Sequence, residues 1–126
     1  MVTVEQFKDV FKQFEAADED YYHDYMADLA SNARKGYKLA LPFEVMTVPE
    51  WEIEIVEEDT DRSYDSYGDT RAEDCFIIFK VTDASGESNM FKLPGSYYSY
   101  EGWEWNVTSI AEVKSVPKTI YVWESI

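Results

Sequence analysis

CFIIFKVTDASGESNMFKLP, residues 75–94, decides the fold of this 126-residue chain. Cys75 to Thr82 is an apolar run of aromatic and β-branched residues with the length of one strand. Ala84-Ser85-Gly86-Glu87-Ser88 supplies a turn, and Asn89 to Pro94 runs back. Strands joined by so short a turn are antiparallel, because a parallel pair needs a crossover of a dozen or more residues. Apolar residues at both parities of 75–82 lead to the expectation that this strand is buried on both faces.

Working towards the N-terminus, WEIEIVEE (51–58) alternates, with Trp51, Ile53 and Ile55 on one face and Glu52 and Glu54 on the other. That pattern is a half-buried strand with an acidic outer face. Residues 57–74 are polar and acidic and read as a long loop, a feature that in small domains is usually functional or disordered. Tyr37 to Val48 is apolar but carries Pro42, so it reads as an edge or irregular strand.

Residues 1–35 read as helical. Thr3 and Gln6 form a T-x-x-Q capping box, and Phe7, Val10, Phe11 and Phe14 make one apolar stripe. A second stripe holds Tyr22, Met26, Leu29, Ala30 and Ala33, after the acidic start Asp18-Glu19-Asp20. Arg34 and Lys35 fit its last turn and Gly36 its C′ position. The break near Ala16–Asp18 fits one bent helix or two.

Towards the C-terminus, GSYYSYEGWEW (95–105) reads as a turn-rich excursion, mostly core and turn rather than interface. WEWNVTSIAEVKSV adds one strand, Pro117 breaks it, and KTIYVWESI (118–126) alternates as a closing strand. Helices followed by about five antiparallel strands make an α+β fold, one domain over 1–126, with helices on one face of the sheet.

Composition narrows the function. Hydrophobic residues make up 45% of the chain, enough for a packed core. The net charge of −15 disfavours direct binding to nucleic acid or anionic membranes and favours a basic partner. The start lacks a signal peptide's basic and apolar regions, and no apolar stretch reaches the ~18 residues of a membrane span, so the reading places the protein in the cytoplasm. Cys75, the single cysteine, reads as a buried inert thiol.

The acidity is clustered. Residues 44–74 hold twelve acids against Arg62 and Arg71, a net of −10. Asp59-x-Asp61-x-Ser63 opens like a calcium loop, but Tyr64 and Thr70 stand where glycine and glutamate are needed. Outward carboxylates on a strand repeat every ~6.6 Å, a spacing suited to imitating successive phosphates. The candidate partner-binding residues are therefore Glu52, Glu54, Glu57, Glu58, Asp59, Asp61, Asp65 and Asp69, joined by Tyr100, Glu101 and Trp103 of the aromatic stretch. No active site is legible: His23 is the only histidine, zinc ligands are too few, and neither a P-loop nor a dinucleotide-binding glycine pattern occurs. The reading is of a binding protein, not an enzyme, with no cofactor and no metal.

The C-terminal third carries a resemblance. Tyr98-Ser99-Tyr100-Glu101-Gly102-x-Glu104-Trp105, then Glu112-Val113-x-x-Val116-x-Lys118-Thr119-x-x-Val122-Trp123-Glu124, resembles a pattern in small acidic proteins of tailed bacteriophages. The match covers about 30 residues and departs at Ser115 and Pro117, where the proline follows the valine instead of preceding it. It implies a phage origin and carries no catalytic residues. The expectation is a phage-encoded acidic inhibitor, acting in an infected bacterium on a basic nuclease, transcription factor or replication factor. The alternatives are a self-associating accessory protein, in which a homodimer is open, and a binder of a nucleotide-type ligand under GSYYSYEGWEW.

Overall fold

A computed structural model describes residues 1–60, 73–98, 102–115 and 123–125. Helix α1 spans Val4–Ala17 and α2 spans Glu19–Asn32. Strands follow at Lys38–Leu39 (β1), Glu52–Asp59 (β2), Glu73–Thr82 (β3), Ser88–Tyr98 (β4), Gly102–Trp105 (β5) and Ala111–Val113 (β6), with a 3-10 turn at Val107–Ser109. The fold is α+β, two helices packed on an antiparallel sheet.

Local chemistry sets both helix boundaries. The capping box forms as the sequence suggests: the Thr3 hydroxyl accepts from the Gln6 N–H, and the Gln6 side chain accepts from the Thr3 N–H. There are two helices, not one bent helix. Asp18 separates them in an extended conformation, donating its N–H to Phe14 O at 3.0 Å and accepting from the Tyr21 N–H at 3.1 Å through its carboxylate. The second helix stops at Asn32, earlier than Arg34, Lys35 and Gly36 imply. Gly36 instead turns the chain with φ +91°, and its N–H bonds to Ile55 O.

The sheet runs β1-β2-β3-β4-β5, and β6 also pairs with β4. Both β5 and β6 lie along one edge of β4, β6 against residues 90–92 and β5 against 95–98. Pro94 sits at the junction, where its carbonyl accepts from the Asn106 N–H. The nitrogen of a strand residue points to the same side as its carbonyl, so the donor that proline lacks falls where no strand is paired.

The core lies between α1 and one face of the sheet. Phe7 stacks on Phe91 with centroids 4.8 Å apart, and meets Phe11 edge-on at 5.3 Å and Phe79 at 5.7 Å. Cys75, Ile77, Phe79 and Val81 of β3 are buried beneath the helices, whereas Phe76, Ile78 and Lys80 are only half-buried. The expectation of a strand buried on both faces is thus corrected: among the described residues the helices cover one face alone. The stretch 95–105 is a hairpin of β4 and β5, not a loose excursion, although residues 99–101 lie outside the described residues. Residues 37–48 contribute only the two-residue edge strand β1. Most of the acidic loop, 61–72, and the closing strand's 118–122 and 126 lie outside the described residues; Trp123, in the described 123–125, is almost fully exposed and in no strand.

Candidate functional site

The sequence-derived acidic face is built on β2. Glu52, Glu54, Glu57 and Asp59 alternate with the register of β3, opposite Thr82, Lys80, Ile78 and Phe76. Two features reduce its negative field. Lys38 of β1 bonds Glu52 at 2.5 Å, and Lys80 of β3 stands opposite Glu54. The Lys38 bond and charge hold the Glu52 carboxyl below the usual carboxylate range, while Glu52 raises the Lys38 ammonium.

The second feature is a β-bulge at Val56. Ile55 pairs with Phe79 but Glu57 with Ile78, so the parity of β2 flips between them. Glu58 is carried into register with the fully buried Ile77, on the core side of the sheet. Its carboxylate accepts from both the N–H and the hydroxyl of the buried Thr60. Glu58 therefore shapes the end of β2. Asp61, Asp65, Asp69, Tyr100 and Glu101 lie outside the described residues.

Trp103 pairs with Tyr97 across the hairpin, the rings 4.9 Å apart, and its indole Nε1 is enclosed with no hydrogen-bond acceptor among the described residues. On the same side of β5, Trp105 donates its indole N–H to Met26 O at 3.0 Å. Trp105 thus ties the sheet to α2, and Trp103 packs within the hairpin.

A second acidic surface lies on α2, and the sequence reading passed over it. Asp20, Asp24 and Asp28 are exposed and spaced by four, so they line one ridge with a rise of about 6 Å between neighbours. No lysine or arginine occurs between Lys12 and Arg34. The ridge borders a groove of about 670 Å³ between α2 and the β1 segment. Asp18, Tyr21, Tyr25 and Tyr37 also line that groove. Tyr25 donates its hydroxyl to Ala40 O at 3.0 Å, and burial pushes its phenol far above the ordinary tyrosine range. The groove floor is thus fixed while its acidic rim stays open. The four-residue spacing was visible in DEDYYHDYMAD, but Asp18, Glu19 and Asp20 were accounted for there as a helix start.

Among the described residues no group of three or more His, Cys, Asp or Glu is arranged to hold a metal, and no helix is long and apolar enough to cross a membrane. Comparison with protein-family models, with curated proteins and with solved structures returned no match.

Proposed function

We propose that this is an acidic binding protein that docks the α2 ridge onto a basic surface of another protein and blocks it. The partner class is a nucleic-acid-handling protein, a nuclease or a transcription or replication factor, whose groove is already built for a row of phosphates. The phage-like C-terminal pattern supports an infected bacterial cell as the setting, and the proposed target is a host protein.

One observation carries the reading: Asp20, Asp24 and Asp28 stand on one exposed helical row with no lysine or arginine paired to them among the described residues. Like charges at i,i+4 destabilise a helix, and Asp28 lies in the half where the helix dipole favours cations. Helix stability accounts for Asp20 in the first turn but not for Asp24 and Asp28, whereas a basic partner accounts for all three. Tyr21 beside the ridge adds an aromatic anchor.

The test is capture from bacterial lysate at low salt on the tagged protein, followed by a high-salt wash. A basic nucleic-acid enzyme released by the wash supports the reading. Capture that is unchanged when Asp20, Asp24 and Asp28 are replaced by asparagine overturns it.

A further inference from the structure

The face of the sheet turned away from the helices carries an apolar centre between an acidic side and a basic side. Phe76 and Ile78 of β3 occupy the middle, with Val56, Met90 and Val113 around them, all half-buried. A depression of about 490 Å³ there is lined by Val56, Ile78, Met90 and Val113 and edged by Lys35, Glu57 and Lys114. Among the described residues no helix lies on this face. β2 supplies Glu57 and Asp59 to one side of β3, and β4 supplies Lys92 to the other. Lys92 reaches back over the Phe76 ring, its Nζ 4.8 Å from the centroid.

We propose that this face pairs with the same face of a second copy, forming a two-fold dimer whose axis runs along β3. The register carries the argument. One row across the sheet reads Glu57, Ile78, Lys92. Turning a second sheet over about the β3 direction reverses that row. Ile78 then meets the partner's Ile78, and Glu57 meets the partner's Lys92, twice over. That row is complementary to itself in the way a two-fold interface requires, while the same axis brings Lys80 towards the partner's Lys80, each beside its own register partner Glu54. Sheets stacked about 10 Å apart bury their facing side chains, which would complete the burial of the half-buried Phe76, Ile78, Met90 and Val113. The α2 ridge lies on the helical side of the sheet, so this pairing leaves it open and is independent of the proposed function.

The test is molecular mass by light scattering and sedimentation across a wide concentration range, on the full chain. The wild type should rise from one to two chains as concentration increases. Ile78→Glu should remain monomeric while keeping the wild-type far-UV circular dichroism. Glu57→Lys and Lys92→Glu should each weaken the dimer by about tenfold or more, because each places like charges opposite one another twice. The double variant, Glu57→Lys with Lys92→Glu, should recover wild-type affinity to within about threefold. A wild type that stays monomeric throughout, a dimer that survives Ile78→Glu, or a double variant no better than the single ones overturns the proposal. None of these results would touch the lysate test of the α2 ridge.

Discussion

Gly95 on β4 and Trp105 on β5 are register partners held so close that a Cβ on Gly95 would stand 2.6 Å from the Trp105 ring and 2.7 Å from Glu104 O. The second contact is to backbone, so a rotamer change cannot relieve it. Trp105 is also fixed from the helical side through its bond to Met26 O. This close approach is how α2, and with it the acidic ridge, is set against the sheet.

Gly95→Ala should therefore cost about 1–3 kcal/mol, the usual range for overpacking a close-packed site. Urea denaturation followed by tryptophan fluorescence measures it. Gly86→Ala also costs stability, but through its φ of +90° in open space rather than a clash. Enlarging Gly95 further to Leu should worsen the loss steeply through the clash, whereas at Gly86 nothing lies within 4 Å of the added Cβ and the cost stays that of the positive φ.

Asp18 closes one helix and opens the next. Asp18→Ala keeps the backbone bond to Phe14 O but removes the carboxylate that accepts from the Tyr21 N–H. The loss should be about 1 kcal/mol, typical of an N-cap. Asp18→Asn or Asp18→Ser, which retain the acceptor, should recover most of it in the same denaturation assay.

Asp83 organises the β3–β4 turn and gives stability a pH dependence. Its carboxylate accepts from the Ser85 hydroxyl and from the Ser85 and Glu87 N–H groups, and it pairs with the Met1 ammonium at 2.9 Å. The Ser85 bonds first, and the ammonium second, lower its pKa from 3.8 to about 2. A depressed pKa means that the contribution is complete above the unfolded value and is lost as pH falls through the folded one. The stability gap between wild type and Asp83→Asn should stay constant at neutral and mildly acidic pH. It should close as pH falls from about 4 to about 2. Denaturation midpoints of both proteins along a pH series check this.

The fold was largely legible because its signals are local. The capping box, the phenylalanine stripe of α1, the alternation in β2 and the short turn after Thr82 each act over a few residues, and each appears where its pattern lies. What escaped depended on tertiary context. Phe76 and Ile78 are as apolar as Ile77 and Phe79, so nothing in 75–82 tells which parity meets the helices. The bulge at Val56 has no sequence signal; its effect, turning Glu58 inward beside Thr60, appears only in the register with β3. Lys38 and Lys80 reach Glu52 and Glu54 from neighbouring strands, so the neutralisation of the β2 face was invisible along the chain. The α2 ridge was readable at i,i+4, but its groove needed the β1 segment, far away in sequence.

The α2 ridge should also show opposed effects on stability and binding. Replacing Asp20, Asp24 and Asp28 by asparagine removes two like-charge i,i+4 pairs. That change is worth about 0.2–0.5 kcal/mol each to the helix, less a small loss at Asp20, which sits in the first turn. Thermal melting should therefore be unchanged or slightly raised.

The most direct measurement is the affinity of the captured partner for wild type and for this triple variant, by calorimetry at two salt concentrations. The account predicts a wild-type affinity that falls steeply with salt, and a variant weakened by about tenfold or more at low salt with a flatter salt dependence. Equal affinities, with equal salt dependence, would contradict it.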